Sequence, residues 1–403
     1  MVVPRRPSRS GAVDSQLLAA VALARGFESL GCDVVLLTED GPQALDEVAL
    51  ASVRAGGSQG ENRREVARRL PRWARLALAD VRALQRRHRL RSVVVPGSLD
   101  LVVQFHHRFQ DVGRRLATQA GCPLVLRVEA IEVEEQRDWG LRGPRSGKVV
   151  TALGELRLFR AADAVAAVSP PLATSLFRAG VPDRLIRSIP NGVDTEVFRP
   201  GVAPPVQELA RRGLEDRFLI GWVGGFRPYH GLEQLADLLP VLERTIPEAT
   251  VCLVGTGPLE RDLERLQRDH PRSLAVLPPV AQDQVASWLC AFDVCLQLSR
   301  PDGAQHYSPL KVREYLACAR PVVAPAGAPG HELVHGTTGM LYPAGDMVAA
   351  MTAISALHAD PDLARRLGET GRRVVERDGS WAAVAARMWE AGKGVGADAA
   401  GPQ

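Results

Sequence analysis

Short apolar runs alternate along this chain with longer stretches whose apolar residues recur at helical spacing. That alternation predicts parallel strands joined by helices, an α/β, doubly wound architecture. Leu17, Leu18, Val21, Leu23 and Phe27 make the first helical face, with Asp14 or Ser15 placed to cap it and Gly31 to end it. Cys32 to Leu37 reads as a buried strand. Only Met1 to Val3 precede Pro4, so the first strand is very short or the chain starts upstream. Between 61 and 91, Pro71 separates two helices on which Val66, Leu70, Trp73, Ala77, Val81 and Leu84 share a face. Apolar runs follow at Val93 to Val95, Leu101 to Phe105, Pro123 to Val128, Ala164 to Val168 and Leu185 to Ile189. Helices are expected at Asp111 to Gln119, Val149 to Arg160 and Pro171 to Arg178, and the polar stretch Glu129 to Lys148 reads as a mobile loop. After the turn signal Asn191-Gly192 the rhythm restarts, with strands at Phe218 to Val223, Thr250 to Val254, Asp293 to Leu298 and Pro321 to Ala324. The pattern predicts one domain over 1–192, a second over 193–376, a closing helix over 377–392 and a flexible tail over 393–403.

Composition adds limits. A chain of 403 residues exceeds one ordinary core and suits two domains of about 200 residues each. A net charge of +4 is mildly basic, compatible with an anionic nucleotide or membrane surface and not calling for nucleic acid. Much of the basic charge falls on residues 61–91, where Arg72, Arg75, Arg82 and Arg86 share a helical face. That face reads as solvated or, alternatively, as docking peripherally on an anionic membrane. Cys32, Cys122, Cys252, Cys290, Cys295 and Cys318 form no C-x-x-C, so they read as reduced thiols of a cytoplasmic protein and suggest no zinc site. Neither a signal-peptide block nor an apolar run of about 18 residues is present, so the chain is expected not to span a membrane.

The candidate chemistry centres on Pro301 to Pro325. A polar loop feeds a helix at Ser308-Pro309, with Ser308 expected as the N-cap and Pro309 as the first helical residue. The free N–H groups of a first helical turn suit an anion such as a diphosphate. Lys311 adds a full charge, and Glu314, three residues on, offers a carboxylate to a sugar's hydroxyl pair. At the strand ends of the first half, His106, His107 and Glu129 are acceptor candidates, because open α/β sheets bind ligands there.

Together with Pro190-Asn191-Gly192-Val193-Asp194, Gly221 to Arg227 and Leu253 to Pro258, this stretch resembles the donor half of a GT-B glycosyltransferase of family 4. The resemblance covers most of residues 185–375, and the first half more loosely. It implies two Rossmann-like domains facing each other across a cleft. It implies an enzyme that moves a sugar from a nucleoside-diphosphate sugar to a glycan, lipid-linked or small-molecule acceptor, with retention at the anomeric carbon and no metal or other cofactor. Catalysis would rest on Arg227, Lys311 and Glu314. The donor would also meet Gly225, His230, Gly255, Val280, His306, Tyr307, Ser308, Pro309 and Leu310, and the acceptor Gly11, His106 and Glu129. His230 stands where lysine is commonest, so its contribution is expected to depend on pH. The family's E-x7-E signature would put carboxylates at 306 and 314. Position 306 is histidine, which implies altered sugar recognition with nucleotide binding intact. A non-catalytic sugar-nucleotide or glycan binder, or a sugar-nucleotide epimerase or hydrolase, is the alternative on this fold.

Overall fold

The computed structural model describes residues 1, 15–38, 41–43, 85, 98–134, 150–300, 308–327 and 332–397. The candidates Gly11, His306 and Tyr307, the face carrying Arg72, Arg75, Arg82 and Arg86, and most of the loop expected at 129–148 lie outside the described residues. The chain divides into two compact units. One comprises Met1–Gly192, His306–Ser308 and Trp381–Gln403, and the other Val193–Gln305 and Pro309–Ser380.

In the first unit, β3 (Val102–Phe105), β4 (Leu124–Val128), β5 (Ala164–Ala167) and β6 (Ile186–Ser188) form a parallel sheet in that order. Leu124, Leu126 and Val128 pack on one side with Leu116, Phe159, Leu172 and Leu176. Strands β1 (Leu36–Thr38) and β2 (Gly41–Gln43) pair antiparallel. The strand expected from Cys32 therefore starts only at Leu36, because 32–35 stay exposed or half-buried. The helix expected at 149–160 contains a π-helical stretch, Ala152–Leu156, followed by Arg157–Phe159. The helix Trp381–Ala397 packs on Ser15–Ser29 so closely that a Cβ at Gly26 would lie 2.4 Å from the Trp381 carbonyl oxygen.

The second unit holds a six-stranded parallel sheet in the order β12-β11-β10-β7-β8-β9. Its strands are β7 (Phe218–Gly225), β8 (Ala249–Thr256), β9 (Leu274–Leu277), β10 (Val294–Leu296), β11 (Val322–Pro325) and β12 (Met340–Tyr342). Being covered on both faces, β7 is apolar nearly throughout, as parallel strands are. Ile220 and Trp222 join one core, and Leu219 joins the other with Cys252, Phe292 and Tyr315. From β7 the chain moves outward through β8 and β9, then returns to β10 on the other side of β7. The order thus reverses between β7 and β10, and the crevice beyond their carboxyl ends is where this class of sheet holds ligands.

Gly221 occurs in β7 because Phe292 fills the space beside it: a Cβ there would lie 1.8 Å from the ring. Phe292 is fully buried, so Gly221→Ala should cost about 1 to 3 kcal/mol by overpacking. The check is a lower urea midpoint with unchanged slope, partly restored when Phe292→Leu is added.

Candidate functional site

At the switch point β7 ends in Gly224-Gly225, and the chain turns through Phe226 and Arg227 into a 3-10 turn, Pro228–His230. Gly224 has φ +145° and Gly255, its partner in β8, φ +154°. A Cβ at Gly255 would lie 1.9 Å from the Gly224 carbonyl oxygen, so here the close approach that glycine permits is to the protein's own backbone. At Gly225 the nearest atom to such a Cβ is 3.7 Å away, and the residue is exposed.

The helix facing this turn runs Leu310–Ala317, with Pro309 rather than Ser308 at its N-cap. Ser308 does not cap because its hydroxyl accepts from the Asn191 N–H at 3.1 Å and its carbonyl accepts from Asn191 Nδ2 at 2.8 Å. Pro309 offers no side-chain cap, and none is seen among the described residues. Its first-turn N–H groups therefore keep their capacity for an anion.

Lys311 sits in that first turn, 9% exposed. Its Nζ lies 3.7 Å from the centroid of the Trp222 ring, a cation–π contact, and has no hydrogen-bond partner among the described residues. Burial pushes the ammonium down to about 7, against the pull of Glu314. The Trp222 indole N–H is a second buried donor without a partner. Trp222 carries His230 on its edge, ring centroids 5.3 Å apart. Burial, Lys311 and Arg227 push the His230 imidazole down to about 2. These neighbours hold the His230 ring in its neutral form, against the pH dependence expected of it. Arg227 is exposed beside it.

Glu314 lies one turn beyond Lys311, half-buried. Burial pushes its carboxyl up to about 7, while Lys311 and a hydrogen bond from the Gln282 side chain oppose the rise. Gln282 opens the helix that follows β9, and Val280 sits half-buried just before it. The second unit therefore brings together Gly225, Arg227, His230, Gly255, Lys311 and Glu314. Trp222 and Gln282 escaped sequence reasoning, since neither a buried strand tryptophan nor a helix-opening glutamine carries a chemical signature.

In the first unit His106 and His107 follow β3 directly. His106 pairs with Glu155 at 3.1 Å, stacks on Phe159 and leaves its Nδ1 without a partner. Glu155, on the π-helical stretch, also accepts from the N–H groups of Glu132 at 2.8 Å and Val133 at 3.3 Å. His107 meets Glu132 at 2.5 Å and Arg108 meets it at 2.6 Å. Burial opposes the Glu132 charge, but His107, His106 and Arg108 outweigh it and hold the carboxyl well below its usual range. Glu129 stands half-buried past the end of β4. Glu132 and Glu155 were not singled out in the sequence; a carboxylate three residues past Glu129 was the available signal. Among the described residues no three His, Cys, Asp or Glu side chains gather as a metal site. None of their helices is long and apolar enough to cross a membrane.

Two family models match: "Glycosyltransferase Family 4" over residues 19–197 and "Glycosyl transferases group 1" over 217–360. The chain is 29% identical over 241 residues to a GDP-mannose-dependent α-(1-6)-phosphatidylinositol monomannoside mannosyltransferase of Mycolicibacterium smegmatis, covering 58% of this chain and 63% of that one. The matched stretch thus spans under two thirds of that relative. It is 29% identical over 313 residues to the α-maltose-1-phosphate synthase of the same organism, covering 72% of this chain and 78% of that one. In fold it is similar to HepE of Anabaena, solved in complex with UDP-glucose, with TM-score 0.66, 18% identity, and 96% and 97% of the two chains covered.

The two shifted groups act on stability in opposite senses. Glu314 binds its proton more tightly folded than unfolded, so its contribution is lost as pH rises from about 4.5 to about 7. Lys311 binds its proton less tightly when folded, so its cost is relieved as pH rises from about 7 to about 10.5. Together they place a local minimum of stability near neutrality. Lys311→Met should remove the alkaline rise and stabilise the protein at pH 7 by about 1 to 3 kcal/mol, as read from urea unfolding at a series of pH values. An unchanged alkaline limb in the variant would count against a buried ammonium.

Proposed function

We propose, on the premise that this chain belongs to glycosyltransferase family 4 and has the GT-B fold, that it moves a sugar from a nucleoside-diphosphate sugar to an acceptor hydroxyl with retention of anomeric configuration. The observation that carries this reading is the Lys311 ammonium: buried, without a hydrogen-bond partner, and set in the first turn of an uncapped helix. A cation held in that state awaits an anion, and a diphosphate answers both the charge and the free N–H groups.

As the sugar–phosphate bond breaks, negative charge grows on the leaving diphosphate. Lys311, Arg227 and the helix N–H groups oppose it from fixed positions, and the neutral His230 ring adds a hydrogen bond. Because these groups supply the positive charge, the reading assigns no metal and no other cofactor. Glu314, already held by Gln282, takes the ribose hydroxyl pair, and the backbone around Val280 meets the base. On the acceptor side the reading names Gly11, His106 and Glu129, with Glu132 and Glu155 fixing the two histidines. The proposed setting is the cytoplasm, with Arg72, Arg75, Arg82 and Arg86 meeting the anionic inner face of a membrane that carries a lipid-linked acceptor.

Lys311→Ala and Arg227→Ala should each weaken nucleoside-diphosphate binding by about 1.5 to 3 kcal/mol, measured by calorimetry with UDP, GDP and ADP. With labelled nucleotide sugars, free diphosphate should appear only when acceptor is added. Release without acceptor would point to a hydrolase, and no release with any donor and acceptor to a binding protein.

The membrane reading predicts that the protein pellets with vesicles containing anionic lipid but not with neutral ones, and that salt releases it. Equal behaviour with both kinds would leave the arginine face solvated.

A further inference from the structure

Strand β7 keeps both neighbours over only part of its length. Its pairing with β8 runs from Phe218 to Gly225, but β10 pairs with it only at Ile220 and Gly221 before the two strands part. The N–H groups of Phe218 and Phe226, at either end, donate to carbonyls on the β8 side, those of Glu248 and Thr256. That of Leu219 donates to the Asp293 carboxylate, just ahead of β10, at 2.7 Å. Backbone groups thus alternate between the two sides, and Val223 presents its N–H to the side that β10 has left. The N–H donates there to the Tyr315 hydroxyl oxygen at 3.1 Å. Tyr315 is fully buried on the helix Leu310–Ala317, next after Glu314 and one turn beyond Lys311. Its hydroxyl stands where a carbonyl of β10 would in an unbroken sheet, and it fastens the helix to β7 between Trp222 and Gly224.

A second side chain spans the same opening further out. Gln234 is buried and donates from Nε2 to the Gly231 carbonyl at 3.0 Å and to the Ser299 carbonyl at 2.9 Å. Gly231 closes the turn after β7, and Ser299 follows the end of β10. The fit is close: Gly231 has φ +70°, and a Cβ there would lie 2.4 Å from Gln234 Nε2 and 2.8 Å from the Ser299 carbonyl carbon. Gln234 Oε1 is buried without a partner among the described residues, a cost that an apolar side chain in this core would not carry.

We propose that Tyr315 and Gln234 are positioning residues for the nucleoside-diphosphate donor. The inference rests on the sugar-transfer reading above. The groups that reading sets around the diphosphate come from separate segments: Arg227 and His230 from the turn after β7, Lys311 and Glu314 from the helix. Ladder hydrogen bonds cannot hold these segments together, because the strands must part for the crevice to exist. Tyr315 holds the helix to the end of β7, and Gln234 holds the turn to the segment leaving β10. Neither side chain need touch the donor. Charges and N–H groups stabilise a leaving group only from fixed positions, and these two side chains fix them.

The test measures the affinity of the full chain for UDP, GDP and ADP by calorimetry in double-variant cycles. Tyr315→Phe removes one oxygen and leaves the ring in the core, while Gln234→Met keeps the length of the side chain and drops the amide. Each should weaken diphosphate binding about tenfold, with an unchanged circular dichroism spectrum. In a Lys311→Ala background Tyr315→Phe should cost less than about twofold, and so should Gln234→Met in an Arg227→Ala background, because the group each one places is gone. Without ligand, amide hydrogen exchange should speed up at Val223 in Tyr315→Phe and at Tyr229 to Gly231 in Gln234→Met. Full affinity in both single variants overturns the proposal and leaves the sugar-transfer reading standing. So do losses that stay tenfold in the double variants, as a merely structural role would give, and so does unchanged exchange at both places. A wild-type chain that binds none of the three diphosphates overturns both.

Discussion

An ammonium group buried over an indole, without a hydrogen-bond partner, is the constraint around which the second unit is built. Lys311 gives up hydration that a cation ordinarily keeps, and the 3.7 Å contact with Trp222 returns only part of it. The sheet order makes the contact possible. Reversal between β7 and β10 opens the crevice into which the Leu310–Ala317 helix points its first turn. Gly224 leaves room for the lysine, since a Cβ there would lie 3.1 Å from Nζ. The same ammonium, with burial and Arg227, keeps His230 neutral.

The first unit has its own buried cation, with a different role. Arg127 in β4 is fully buried between the rings of Phe105 and Trp381, 5.7 and 6.0 Å from their centroids. It donates to Asn191, which in turn holds Ser308 through two hydrogen bonds. Gly192 lies so close to Trp381 that a Cβ would meet its ring at 2.7 Å. Asn191, Ser308 and Trp381 each stand where the chain passes between units, so one guanidinium network fastens all three passages on the first unit's side. A guanidinium held by hydrogen bonds and two rings in this way fixes geometry, whereas the Lys311 ammonium meets the Trp222 ring.

Histidine meets different neighbours in the two units. His106 and His107 sit beside the carboxylates Glu155 and Glu132, while His230 sits beside the cations Lys311 and Arg227, which with burial favour its neutral ring. The sequence shows three histidines near strand ends and nothing of which charge each one meets.

Much was legible from order alone. The alternation of apolar runs and helical periods determines two parallel α/β units, because period and run length report burial locally. The turn at Asn191-Gly192 marks the passage between them. The glycines at 224, 225 and 255 mark where β7 and β8 end, and the Lys311–Glu314 spacing puts both side chains on one helix, because backbone freedom and helical spacing are properties of neighbours in sequence. What the chain folded in three dimensions decided was everything set by distant residues. Asn191 takes the Ser308 hydroxyl from across 117 positions and so leaves the helix uncapped. Trp222 under Lys311, Gln282 on Glu314 and Glu155 on His106 are likewise far apart in sequence. Desolvation is a sum over all surrounding atoms, so whether a lysine is an ordinary surface cation or one poised near neutrality is written in the packing and not in the motif.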